Sequence, residues 1–247
     1  MMSKRGWIAL LTIMLMSTLA ACGGTTGTST APATSAATAT HAATANSATT
    51  DGSTACPTVD AASGQSFYNI VSQQTQASYQ VQEKFLNRPL PNTAIGKTNS
   101  VQGNFLLSTK GNPTITSMKV TVDLRTLTSD EDRRDNSIRG RWLQSDTYPY
   151  ATFVSTNAQV LSGSYSSGQT ITFKLTGNMT IHGVTHQETF NVSGKLVGDT
   201  ITGTATSLVY MKNYGFDPPN IFGMLTVTDG VTVTLNFTAK AGSCSAS

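Results

Sequence analysis

The sequence predicts an all-β fold of antiparallel strands with one short helical insertion. Three observations carry this: apolar residues alternate with polar ones in run after run, glycines punctuate the runs, and helical spacing with dense charge occurs only once, at about 130–144. Thr, Ser, Asn and Gln occupy the alternate positions, as at Thr232, Thr234, Asn236 and Thr238, so each strand has one wet face and one apolar face. Such strands bury their apolar faces by stacking as a sandwich or by closing as a barrel. Periodicity leaves both open.

Phe67 to Val71 opens the domain, and Ala77 to Phe85 follows with Tyr79, Val81 and Phe85 on one face. Glu83 shares that face, a carboxylate where a sealed interior would take none. Asn87 to Ile95 reads as a loop because of Pro89 and Pro91. Val101, Phe105 and Leu107 alternate next, then Met118, Val120, Val122 and Leu124. After the insertion come a strand from Phe153 to Val160 and another carrying Ile171, Phe173, Leu175, Met179 and Ile181. His182-Gly183 turns the chain into Val184 to Val192. Lys195 to Tyr210 is a long Thr-rich run, and Val231, Val233, Leu235, Phe237 and Ala239 close the sheet. Gly163, Gly168, Gly183, Gly194 and Gly230 mark the connections.

The first residues are not part of this domain. Lys4 and Arg5 precede an apolar run from Trp7 to Met16, and Leu19-Ala20-Ala21-Cys22 reads as the cleavage signal of a bacterial lipoprotein. Residues 1–21 are then a signal peptide, and the Cys22 thiol takes a diacylglyceryl group that anchors the protein to a membrane of the bacterial cell envelope, on its extracytoplasmic side. Residues 22–55 hold almost only Thr, Ala, Ser and Gly and read as a flexible tether, leaving 56–247 as the folded domain. Cys56 and Cys244 bracket that domain in an oxidising compartment, so the natural pairing is a disulfide between them; two free terminal thiols are the alternative.

Composition removes several functions. Without Lys4 and Arg5, fourteen basic residues face thirteen acidic ones, which leaves no footprint for nucleic acid. No Gly-x-Ser-x-Gly elbow, Cys-x-x-Cys or Gly-rich phosphate loop occurs. His41 lies in the tether without acidic neighbours, and His182 and His186 are separated by a turn, so no metal site and no catalytic set is expected. His186 and Glu188 read as a satisfied pair at a barrel rim. The charges from Asp130 to Arg141 alternate in sign at helical spacing and read as a solvated face of ion pairs; Arg133, Arg134, Arg139 and Arg141 are the alternative, a phosphate-attracting group.

The stretch Arg134-Asp135-Asn136-Ser137-Ile138-Arg139-Gly140-Arg141-Trp142-Leu143, followed by Tyr148-Pro149 and Phe153, resembles the YceI-like family of lipocalin-like, polyisoprenoid-binding proteins. Ser78 to Phe85 resembles that family's early long strand, Leu175 to Thr185 its hairpin, and Asn213-Tyr214-Gly215-Phe216 its Asp-Phe-Gly-Ile loop. Met211 and Lys212 stand where an arginine is common. The resemblance implies an antiparallel eight-stranded lipocalin-like β-barrel, with Trp142-Leu143 closing one end. It also implies a non-covalent isoprenoid lipid ligand, a polyprenyl phosphate or a prenylated quinone. Tyr79, Val81, Phe85, Phe105, Leu107, Phe153, Phe173, Leu175, Met179, Phe190 and Tyr214 would line the lumen for it. No other cofactor is expected, and a homodimer is left open. Two other functions stand beside this one: a surface lipoprotein with a side-chain-filled barrel that binds macromolecules, and a quinone-linked redox accessory using Glu83, His186 or Glu188.

Overall fold

A computed structural model describes residues 59–243 except 61, 63, 156–158 and 162–165. The signal, the tether, the lipidation at Cys22 and the Cys56–Cys244 pairing lie outside the described residues.

The strands are β1 (Gln65–Ile70), β2 (Gln76–Phe85), β3 (Asn92–Thr98), β4 (Val101–Ser108), β5 (Thr114–Asp123), β6 (Tyr150–Ser155), β7 (Gln159–Val160), β8 (Thr170–Ile181), β9 (Val184–Val197), β10 (Thr200–Tyr210), β11 (Asn220–Ile221), β12 (Leu225–Val227) and β13 (Gly230–Ala241). All pairings are antiparallel, in the order β1-β4-β5-β6-β8-β9-β10-β13, and β13 returns to β1 through Tyr68 opposite Ala241. That return closes an eight-stranded barrel, so the choice between sandwich and barrel falls to the barrel. Closure removes the exposed sheet edges that an open arrangement would leave.

Two staves of the barrel are kinked. β1 gives way to β2 at Ser72–Gln74, and β3 to β4 at Asn99–Ser100. The kinks brace each other: the Ser72 hydroxyl donates to the Val101 carbonyl (2.5 Å) and the Asn99 amide to the Thr75 carbonyl (2.8 Å). Beyond them β2 and β3 pair along Ala77–Glu83 and lengthen the wall at one end. The β11–β12 hairpin joins β2 at that same end through Leu225 opposite Phe85.

Three sequence readings are corrected. The loop expected through Ile95 is a strand from Asn92, because the inward positions of β3 are Ala94, Gly96 and Thr98, too small to show as an apolar stripe. Gly96 is small for a reason: a Cβ there would overlap the Tyr79 ring, which lies across β3 from β2. The Phe153–Val160 run divides into β6 and β7. The run from Lys195 to Tyr210 belongs to two strands, broken at Gly198, whose φ is +60°.

The helix α1 (Asp132–Ser137) continues into a π-helical turn, Ile138–Trp142, where the Leu143 N–H donates to the Ile138 carbonyl at 2.8 Å. It packs over the β2–β3 end of the barrel, where Leu143 meets Leu124, Leu127 and Ala151.

Candidate functional site: an apolar lumen with a charged mouth

The barrel encloses a cavity of about 910 Å³. Its wall is apolar for most of its length: Phe105 and Leu107 come from β4, Phe153 from β6, Phe173, Leu175 and Met179 from β8, and Phe190 from β9. Tyr79, Val81 and Phe85 of β2 and Tyr214, on the turn Met211–Tyr214, complete the wall toward the helix. The structure thus brings every sequence-predicted lumen residue onto one surface. It adds Ile201 and Ala205 of β10 and Phe237 of β13, together with Trp142, Leu143 and Ile138 at the helix end. Phe237 was legible as inward-facing, but its strand gave no sign that the space in front of it is empty.

A void of this volume is not loose packing. Voids in a close-packed interior are few and seldom larger than a water molecule, so a space of this size is a feature of the fold.

The helix end is different in kind. Glu83, 4% exposed, accepts two hydrogen bonds from the Arg134 guanidinium, Nε at 2.9 Å and Nη2 at 3.2 Å, and one from the Asn92 amide at 3.1 Å. Arg134 also donates to Asp130 (2.5 Å) and to the Ser129 hydroxyl (3.0 Å). Burial works against the Arg134 charge, but the bonds it donates to Glu83 and Asp130 outweigh it and hold the guanidinium above its ordinary pKa. Asp135 is buried beneath the helix and accepts both the N–H (2.8 Å) and the hydroxyl (2.6 Å) of Ser129. This corrects the reading of the charge run as a solvated face: Arg134 and Asp135 turn inward, and only part of the run faces water.

The four arginines proposed as a phosphate group do not act together. Arg134 is paired, Arg139 donates to the Leu127 carbonyl (2.6 Å), and Arg141 lies 5.3 Å from the Trp142 ring centroid. Arg133 borders the cavity, as does Arg88 on the β2–β3 loop. Burial raises the Tyr79 phenol to about 12, with Asp135 adding to the shift.

The His186–Glu188 pair is 3.2 Å apart, and neither residue borders the cavity. Glu188 is buried and accepts the Tyr214 hydroxyl at 3.0 Å. Burial, and then the Glu188 charge, push the Tyr214 phenol well above the usual tyrosine range. His182 and Gly183 both have positive φ (+53° and +74°), a type I′ hairpin against which the Tyr148 ring packs, 4.7 Å from His182 between centroids. Among the described residues no cluster of three His, Cys, Asp or Glu could hold a metal.

The barrel fold has counterparts. The family model of the YceI-like domain matches residues 68–239. The chain belongs to the YceI-like family. A polyisoprenoid binding domain from Saccharophagus degradans has the same fold, at a TM-score of 0.53 and 14% identity over 71% of this chain and 98% of its own. Burkholderia cenocepacia BcnA follows at 0.51 and 20% identity, over 68% of this chain and 98% of its own. No curated protein matches the sequence. The YceI-like match begins and ends inside the described barrel, so it bears on the lumen and the helix rather than on the N-terminal segment.

Proposed function

We propose that this YceI-like protein binds a long-chain isoprenoid lipid, a polyprenyl phosphate or a prenylated quinone, in the barrel lumen. In this reading it carries the lipid at the bacterial cell envelope while Cys22 anchors it to a membrane, and it catalyses no reaction. The observation that supports the reading is the 910 Å³ apolar cavity, which side chains do not fill. Each methylene moved from water into such a wall is worth about 0.8 kcal/mol before ordering costs, so a long prenyl tail has ample drive to enter. Met179 suits a branched, flexible tail because its thioether adapts to shape. The solved domain described as polyisoprenoid binding shares this barrel.

The charged mouth is where the lipid's polar end belongs in this reading, since a headgroup in the apolar stretch would lose its hydration without compensation. A filled-barrel function requires an interior that the side chains do not supply. A redox role at a quinone needs a titratable group at the cavity, and of Glu83, His186 and Glu188 only Glu83 borders it, bound up with Arg134.

The test is to purify the full chain from its own host's membranes and analyse the solvent extract and the intact protein by mass spectrometry. A prenyl lipid in stoichiometric amount is expected. Protein that is empty in both measurements overturns the reading. Loss of the membrane-bound pool on Cys22→Ser tests the anchor separately.

A further inference from the structure

The two hairpins that extend the barrel at its mouth carry a cluster of side chains that folding does not explain. The β2–β3 loop holds Leu86 and Leu90, 73% and 76% exposed, and the β11–β12 turn holds Phe222 and Met224, 95% and 55% exposed. The tips are neighbours: the Leu86 N–H donates to the Met224 carbonyl at 2.9 Å. Together they form one apolar projection rather than scattered surface residues.

Phe222 is the telling residue. The Met224 N–H donates to the Ile221 carbonyl (2.8 Å), and Phe222 and Gly223 have φ of +49° and +73°, so they are the central pair of a type I′ turn. Asn, Asp or Gly is the residue that turn favours at its first central position. A phenylalanine there is strained and almost wholly in water, a cost to the fold with no contact in return. A local rule broken without structural gain is expected where a residue serves something outside the fold.

The charges on the two tips select the partner, the acids Asp130 and Glu131 bordering the cavity just before the helix instead. Between Leu86 and Pro91 the one charge is the cation Arg88, its guanidinium 4.9 Å from the Phe85 ring centroid, and the exposed Lys84 flanks it; Phe222–Met224 carries none. Leucines, a phenylalanine and a methionine at the tip with cations behind match an anionic bilayer, where apolar groups enter the acyl region and lysine and arginine stay at the headgroups. The projection is also continuous with the lumen, since Phe85, Arg88, Ile221 and Leu225 line the cavity.

We infer that the Leu86–Leu90 and Phe222–Met224 tips form a foot that inserts into a lipid bilayer and sets the mouth of the lumen against it. The cargo reading gives the foot its purpose, but bilayer insertion is a separate property and is measured separately.

Depth is read first, on the full chain with vesicles of phosphatidylethanolamine and phosphatidylglycerol whose acyl chains are brominated. The indole introduced by Phe222→Trp, after subtraction of the signal of the protein without that substitution, is expected to shift to the blue and be quenched. The indole introduced by Val197→Trp, at the opposite end of the barrel, is expected to do neither. An unquenched indole at 222 overturns the inference, whether or not the protein sediments with the vesicles. Transfer is read second. Leu90→Ser combined with Phe222→Ser is expected to slow uptake of a prenylated quinone from those vesicles roughly tenfold, with uptake from detergent micelles unchanged. Equal rates from vesicles overturn the inference. If neither protein takes up the quinone from either source, the cargo reading falls and the quenching result alone decides the foot. If the wild type is a dimer in solution and the double variant a monomer, the tips are an interface between copies and the inference is wrong.

Discussion

The lumen wall and the helix end are built by opposite means. Along the wall, strands close in sequence hydrogen-bond to each other, as β8 with β9 from Thr170–Lys195 to Ile181–Val184, and inward positions repeat every second residue. Many similar side chains share the same task. At the helix end one singular, distant contact carries the join: Glu83 and Arg134 are 51 residues apart, and one guanidinium ties β2, the 129–130 loop and the helix together. The wall is therefore redundant and the mouth is not, and substitutions should hurt the mouth more than the lumen.

The largest effect should come from breaking the buried pair. Arg134→Met leaves Glu83 as a buried carboxylate without its cation and is expected to cost about 3 kcal/mol. Adding Glu83→Leu should restore much of that loss, because the pair is replaced by apolar contact instead of being split. Urea denaturation of the three proteins measures both. A single variant costing under about 1 kcal/mol would mean the pair behaves like an exposed one, such as Asp123–Arg125 at 2.7 Å, and would erase the contrast between mouth and wall.

Next is Gly96→Val, which pushes a branched side chain into the Tyr79 ring. Overpacking of this kind should cost about 2 kcal/mol. The substitution would also show that the small residues of β3 are there to seat that ring beside the mouth. A thermal midpoint equal to wild type would place the ring elsewhere.

The wall was legible in the sequence for the same reason that it is redundant. Alternation at Phe173, Leu175 and Met179 repeats often enough to be read from any few positions. The empty space inside was not legible, because Phe237 reads the same whether it meets another side chain or a cavity. β3 was missed because Ala94, Gly96 and Thr98 face inward without an apolar signature. Glu83 stood out as an acid on an apolar face, and Arg134 as part of a charge run, but nothing local joins residues that meet only after the barrel closes. The foot was hidden by its prolines, which mark a loop correctly and say nothing of Leu86 and Leu90 projecting from it.

Tyr214 offers a smaller effect. Tyr214→Phe removes the hydroxyl that Glu188 accepts and should cost about 1 kcal/mol at neutral pH. In the wild type the folded pKa values of Tyr214 and Tyr79 both lie above that of an unfolded tyrosine, about 10. The unfolded chain then loses these protons first. This contribution to stability is complete below that pH and is lost as pH rises through the folded values, Tyr79 reaching about 12. Urea midpoints measured upward from neutral pH should fall on this limb, and the Tyr214→Phe protein should fall less.

The smallest effect on stability should come from adding bulk to the lumen, and it separates a container from a core. Ala205 of β10 is buried and lines the cavity beside Phe153, Leu175 and Phe190. In a filled interior, Ala205→Phe would force its neighbours off their rotamers and cost roughly 1–3 kcal/mol. In an empty one the ring enters free space and gains contacts, so the lipid-free protein should keep its urea midpoint within about 0.5 kcal/mol or rise slightly. The same ring takes volume from the ligand, so stabilisation by added prenylated quinone should shrink as its dissociation constant grows. A variant destabilised without ligand would mean the wall is packed at β10 and the usable cavity is shorter than the barrel. A variant unchanged in both respects would mean the lipid does not reach this depth, which would leave the charged mouth as the only part of the site that holds it.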